Sequence, residues 1–209
     1  MRLFHPCLFP SIAQYVAMVG DEALIFERFD HYQKQTYRNR CHIVGPNGLQ
    51  KLHVPIKHTK TDGRQAYKDV RIEQAFAWKK NFRKSLEAAY RSSPFFEYFE
   101  EEMNAVFEKD HTFLLDLNLH SMEVVADCLQ WSMSYVWTET YEMQSSHEDH
   151  RWLVNAKEKT DLSFENYPQV FSEKIGFVEN LSVLDLLFNE GTNALSYLKR
   201  QSFPSRKES

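Results

Sequence analysis

Glycine and proline are scarce, at six and seven of 209 residues. That excludes collagen-like and low-complexity chains and leaves too few glycines for a glycine-built phosphate cradle. The chain has no Gly-x-Gly-x-x-Gly, no Walker-type loop and no Gly-x-Ser-x-Gly elbow. Cysteine is scarcer still. Cys7, Cys41 and Cys128 are odd in number and make no Cys-x-x-Cys pair. A disulfide framework is therefore not expected, and a reducing, cytoplasmic location fits better. No apolar run approaches the ~20 residues needed to span a bilayer. Pro6 and Pro10 interrupt the N-terminal segment where a signal peptide would hold its apolar core. A soluble protein without membrane insertion is the expectation.

Large rings are plentiful: 16 Phe, ten Tyr and four Trp. They can bury a substantial core and argue against global disorder. At this length the chain is expected to form one domain over 1–199, with a flexible tail over 200–209.

The net charge of −4 conceals a segregation. Residues 31–93 carry 14 basic and four acidic side chains, whereas residues 94–209 carry nine basic and 21 acidic ones. No Asp or Glu occurs between His31 and Thr61, a stretch that also holds four of the nine histidines: His31, His42, His53 and His58. A basic middle suggests an anion-facing surface, and the alternative is that the two halves pair across the fold. Nucleic acid is not an expected partner, because the chain is acidic overall and lacks a Lys/Arg-rich run or a familiar nucleic-acid motif.

Periodicity predicts an α/β (or α+β) fold. Residues 2–6, Ile12–Val19 and Leu24–Phe29 read as strand, helix and strand. Tyr37–Val44 and Leu49–Lys57 flank Gly45-Pro46-Asn47-Gly48 and predict a hairpin. Alternation puts Tyr37, Asn39, Cys41, Ile43, Leu52, Val54 and Ile56 on one, largely apolar face. Arg38, Arg40, His42, Lys51, His53 and Lys57 fall on a cationic face. Asp69–Glu73 is a further strand candidate. The later part is largely helical. Trp78, Phe82, Leu86, Ala89 and Tyr90 form one apolar stripe, Pro94 opens a second helix, and Thr112–Trp131 reads as a third. Tyr135–Thr140 is expected to be a strand and Gln144–Lys159 a mobile polar loop. Ser182-Val183-Leu184-Asp185 resembles a capping box, Gly191 stops the helix it opens, and a last short helix covers about Asn193–Leu198.

Several residues could carry chemistry. His5 ends the first strand, before a proline-bounded loop and a helix, where ligands collect in open α/β sheets. It is the candidate general acid/base, with a capping or core histidine as the alternative. Cys7 beside it could form a Cys/His nucleophilic pair, but a small buried thiol is the favoured reading. His147-Glu148-Asp149-His150 has metal-ligand residue types without a helical His-Glu-x-x-His frame, so a solvated acidic loop is favoured and no metal site is expected. Arg38, Arg40 and Lys57 would neutralise phosphate or carboxylate. Gln14 and Tyr15 would shape a pocket, and Asn39 and Asn180 would orient substrate through their amides. Asp185 could add a carboxylate or simply cap its helix. The sequence names no cofactor.

The order of these segments resembles one known family. His5-Pro6-x-x-Phe9-Pro10-Ser11-Ile12 with Gln14-Tyr15 resembles the opening of the WbqC-like proteins. His31-Tyr32-Gln33-Lys34-Gln35-Thr36-Tyr37-Arg38-Asn39-Arg40 resembles their central signature, and Leu52-x-Val54-Pro55-Ile56 the strand after it. Trp78, Tyr90-x-x-Ser93-Pro94-Phe95-Phe96, Tyr167-Pro168-Gln169-Val170-Phe171, Gly176-Phe177 and the run from Asn180 to Gly191 continue the likeness to about Lys199. The resemblance implies a place in bacterial surface-polysaccharide synthesis of the O-antigen type. It implies a biosynthetic transferase acting on an activated sugar, and it supplies no catalytic residue. The expected partner is an anionic small molecule, a nucleotide sugar or an acyl-CoA, with a homo-oligomer left open. The rival expectation is a non-catalytic assembly module that uses an exposed patch of Trp131, Tyr135, Trp137, Tyr141 and Trp152.

Overall fold

The computed structural model describes residues 1–20, 23–57, 65–157 and 163–203. His58 lies outside them, as do residues 204–209 of the expected tail. Helices and strands are mixed, as the α/β reading expects. Four short strands, β1 (Arg2–Phe4), β2 (Leu24–Phe26), β5 (Tyr135–Trp137) and β6 (Glu148–Asp149), form a parallel sheet in the order β5-β2-β1-β6. Leu3 pairs with Ile25 on one side and with Asp149 on the other. The strands are apolar on both faces where they are central, as Phe4, Leu24 and Phe26 are fully buried.

Helix α1 (Ile12–Met18) crosses from β1 to β2. Ser11 caps it by accepting the Gln14 N–H, and Asn180 Oδ1 accepts the Ala13 N–H at 2.9 Å. The preceding loop is pinned equally closely. Phe9 holds a left-handed backbone, φ +40°, which costs a non-glycine residue about 1–2 kcal/mol. Its N–H donates to Ser121 Oγ and its carbonyl accepts from Ser182 Oγ, so the neighbouring helices fix it.

The hairpin forms as expected, though shorter, from β3 (Arg40–Gly45) and β4 (Gly48–His53). Cys41, Ile43 and Leu52 face the core, while Lys51 and His53 are exposed. Gly48 takes φ +104° at the turn. Arg38 departs from the expected cationic face. The strand begins two residues later, and Arg38 turns inward to complete burial. Asp69–Glu73 is not a strand. It contains the end of a 3₁₀ turn over Tyr67–Asp69, followed by isolated bridges from Arg71 to Phe113 and from Ile72 to Ile56.

Helices α2 (Trp78–Tyr90), α3 (Phe96–Glu108) and α4 (Leu114–Cys128) follow. Each buries the stripe its sequence spacing provides, and the rings of Phe9, Phe82 and Phe107 meet between them. A short α5 (Ser172–Ile175) precedes α6 (Val183–Glu190) and α7 (Ala194–Arg200). At the expected tail, Phe203 packs against His150 and Trp152. Among the described residues no helix is long and apolar enough to cross a membrane.

Gly191 ends α6 at φ +55°, and a Cβ placed there would lie 2.5 Å from Phe95 Cδ1. Gly191→Ala therefore combines backbone strain with a ring clash. Urea denaturation is expected to show a loss of roughly 2–4 kcal/mol with an unchanged m-value.

Candidate active site

The residues that follow the sheet's strands converge at one end of it. His5 follows β1, Glu27 follows β2, Thr138 follows β5, and His150 and Arg151 follow β6. In open parallel sheets this carboxyl end is where ligands bind. A half-open cavity of about 290 Å³ lies there, and its lining includes His5, Asp30, Gln33, Arg38, Arg151 and Asn155.

His5 is 3% exposed and forms the centre of the site. Its Nε2 lies 2.8 Å from Arg38 Nη2 and 3.1 Å from Asp30 Oδ2, while Arg38 Nη2 donates to that same Asp30 oxygen at 2.8 Å. Its Nδ1 is buried and has no hydrogen-bond partner. Burial, reinforced by the Arg38 charge, pushes the imidazole down to about 4, so it is neutral near pH 7. A neutral ring either accepts a hydrogen bond from Arg38 at Nε2 or donates one to Asp30. The first tautomer makes Nδ1 a donor and the second makes it a base. Although burial opposes it, the hydrogen bond from His5 and the charges of His5 and Arg38 hold the Asp30 carboxyl below its usual range.

Neighbouring groups fix this triad in place. The Arg38 guanidinium lies over the Tyr67 ring at 5.2 Å. Tyr67 OH donates to the Pro6 carbonyl at 2.6 Å, and the Asn118 amide donates to both Tyr67 OH and the Arg38 carbonyl. Gln14 Nε2 donates to the His5 carbonyl at 2.8 Å. Arg151 also lines the cavity. Its Nη2 donates to Asp149 Oδ2 at 2.6 Å, its Nη1 lies 3.6 Å from buried Glu27 Oε2, and its other donors reach the Glu142 and Met143 carbonyls. Each arginine is thus already paired with a carboxylate, and the cavity carries balanced charge rather than a bare cationic face.

The structure brings together two of the residues singled out in the sequence, His5 and Arg38, with Gln14 immediately behind. The others lie elsewhere. Tyr15 is a core ring against Trp131, with its OH on the Met122 carbonyl. Asn39 ties the end of β4 through the Val54 carbonyl at 3.0 Å, and Asn180 caps α1 as described. Arg40 starts β3 opposite His53, and Lys57 is exposed with its backbone on the Arg71 carbonyl. Asp185 makes no capping box. Its carboxylate turns into the α2–α6 packing and accepts from Tyr90 OH at 2.9 Å, Tyr167 OH at 2.6 Å and Gln169 Nε2 at 3.1 Å. Burial raises it to about 6. Cys7 is fully buried with its thiol pushed up to about 12, which removes a thiolate nucleophile near neutral pH. Among the described residues no cluster of three or more His, Cys, Asp or Glu side chains could hold a metal ion. His147 is exposed, and His150 bonds Glu148 instead.

Asp30, Glu27 and Arg151 were not expected from the sequence. The first two lie where the predicted second strand ends. Arg151 falls in the segment read as a mobile loop, which instead contains β6 and a 3₁₀ turn over Arg151–Val154. A two-residue strand carries no alternation to detect.

Comparison with known proteins identifies the family. No solved structure matches. A curated relative, the uncharacterized protein Rv1507c of Mycobacterium tuberculosis (strain ATCC 25618 / H37Rv), is 25% identical over 209 aligned positions, covering 86% of this chain and 88% of its own length. The model of the WbqC-like protein family matches residues 6–163, which span α1, the hairpin, the Arg38 segment and β6, and so the chain belongs to the WbqC-like family.

Proposed function

We propose that this protein is a cytoplasmic group transferase of bacterial surface-polysaccharide synthesis, acting on a nucleotide-linked sugar or an acyl-CoA in the His5 cavity. The observation that carries the reading is His5 itself. It is a buried imidazole, neutral near pH 7, with one nitrogen held by Arg38 and Asp30 and the other without a partner, on the wall of a cavity at the carboxyl end of a parallel sheet. With Nε2–H donated to Asp30, Nδ1 takes up the proton that an acceptor hydroxyl or amine loses as it attacks the donor, and the donor's nucleoside diphosphate or CoA departs as the bond to the transferred group breaks. Arg38 and Arg151 stabilise negative charge that develops on the donor, and Asp30 and Asp149 keep both guanidinium groups fixed beforehand. Gln33 and Asn155 supply amides at the exposed rim.

The assembly-module reading draws less support. Four of its five rings are half-buried: Trp131 packs on Tyr15, Tyr135 and Trp137 on Phe26, and Trp152 on Phe203.

A thermal-shift screen against nucleotide sugars and acyl-CoAs tests the proposal. A ligand at a hundred times its Kd is expected to stabilise the protein by about 2.7 kcal/mol. The shift should shrink in Gln33→Ala and Asn155→Ala, whose exposed positions leave the fold intact. With the ligand so found, His5→Gln should still bind but lose about 10²–10⁴-fold in turnover. A shift that both rim variants leave unchanged, or no shift with either ligand class, overturns the reading.

A further inference from the structure

A second cleft, of about 410 Å³, opens between β4 and the first turns of α2, and it shares no lining residue with the His5 cavity. Its floor is apolar, with Leu52 and Phe82 buried beneath it. Phe76 stands at its edge as a ring left 66% exposed. Trp78 lines the cleft at 6% exposure, and its indole Nε1–H is buried without a hydrogen-bond partner. A lone buried donor is costly and rare in a folded chain, and here it belongs to a residue that lines an open cleft. Gln50 Nε2 donates to Ser85 Oγ at 3.1 Å, which ties β4 to α2 and fixes the spacing of the walls. Lys51, His53 and Asn81 supply further polar groups, and no carboxylate lines the cleft among the described residues. Helix α2, 13 residues long, begins at Trp78 with no side chain capping its N-terminus, so its first N–H groups favour an anion at the rim.

We infer that this cleft is a binding site for a nucleoside phosphate, distinct from the His5 cavity. The base stacks on Phe76 and receives the Trp78 indole N–H, while the phosphate meets Lys51 and the start of α2. An aromatic face alone would take any flat ring, and a lysine alone any anion. Their combination with a free donor and no opposing carboxylate selects a ring joined to a phosphate.

The four tryptophans provide the test. In ¹⁵N-labelled protein each gives one indole N–H signal, and Trp78→Phe assigns the one in this cleft. Trp152 lines the His5 cavity and reports on that site separately. Titration with UMP or AMP is expected to shift the Trp78 signal saturably. Uridine or adenosine alone should bind more weakly, and inorganic phosphate should leave the signal in place. Phe76→Ala and Lys51→Ala, both at exposed positions, should each raise Kd about tenfold. A Trp78 signal unmoved by either nucleotide at millimolar concentration overturns the inference, as does one moved equally by the bare nucleoside or by phosphate. A shift of Trp152 without Trp78 overturns it while leaving the His5 reading intact.

Discussion

Replacing Arg38 with methionine is expected to destabilise the fold by about 3–5 kcal/mol, because it strands a buried carboxylate. Arg38 is fully buried, and Asp30 accepts its Nη2 at 2.8 Å. Methionine nearly fills the volume but leaves Asp30 facing His5 with no cation beside it. The Tyr67 ring also loses the guanidinium it supports. In a chain of this length the loss should lower the melting temperature by about 10 °C or more. Arg38→Lys should recover part of it, since it restores the charge but not the fork. The double variant Arg38→Met/Asp30→Leu should be more stable than Arg38→Met alone, because no charge then remains unpaired. Urea denaturation of the three variants is the measurement. A loss below about 1 kcal/mol in Arg38→Met would show that the pair is not the buried, interdependent unit described above.

Between about pH 4 and pH 6.5 two buried groups are expected to tilt stability in opposite directions. His5 titrates near 4 in the fold against 6.5 when unperturbed. Across that window the unfolded chain binds more protons, so stability rises with pH, by about 3 kcal/mol in all. Asp185 titrates near 6 in the fold against 3.8. Here the folded chain holds the proton longer, so stability falls as pH rises from about 4 to 6, again by about 3 kcal/mol. The two slopes largely cancel. His111, also lowered to about 4, adds a rise common to every variant. Removing one partner exposes the other. His5→Asn should make the protein lose stability, relative to wild type, as pH increases from 4 to 6.5. Asp185→Asn should make it gain stability over the same interval, and its amide can still accept one of the three hydrogen bonds. Denaturation midpoints at stepped pH read the difference directly. Parallel profiles for wild type and both variants would mean that neither group titrates as its surroundings dictate.

How much of this was legible before the structure depended on the length of each element. Helices α2 to α4 announce themselves through apolar spacing over three or more turns, and the hairpin through alternation around a four-residue turn signal. His5 could be placed at the end of a strand because a proline-bounded loop follows it. Arg38 could not, because alternation only sorts residues that lie within a strand, and the strand begins at Arg40. Asp185 looked like part of a helix cap because Ser182 does cap the helix. What turns the carboxylate inward is a pair of tyrosines, one 95 positions earlier and one 18 positions before it, which no local pattern reveals. Arg151 was invisible for the same reason, since its role depends on a strand too short to carry a period.

The sheet's strand order carries a consequence for synthesis. Arg2 bonds Glu148 across 146 residues, and β2 meets β5 only after more than a hundred intervening positions. Such distant pairing makes loop closure slow relative to helix formation. While the ribosome is still making the first 130 residues, β1 and β2 can exist only as a two-stranded ribbon with both edges unpaired and no Arg151 to complete the site. The nascent chain is therefore most vulnerable to sticking edge to edge in the interval before its last third emerges.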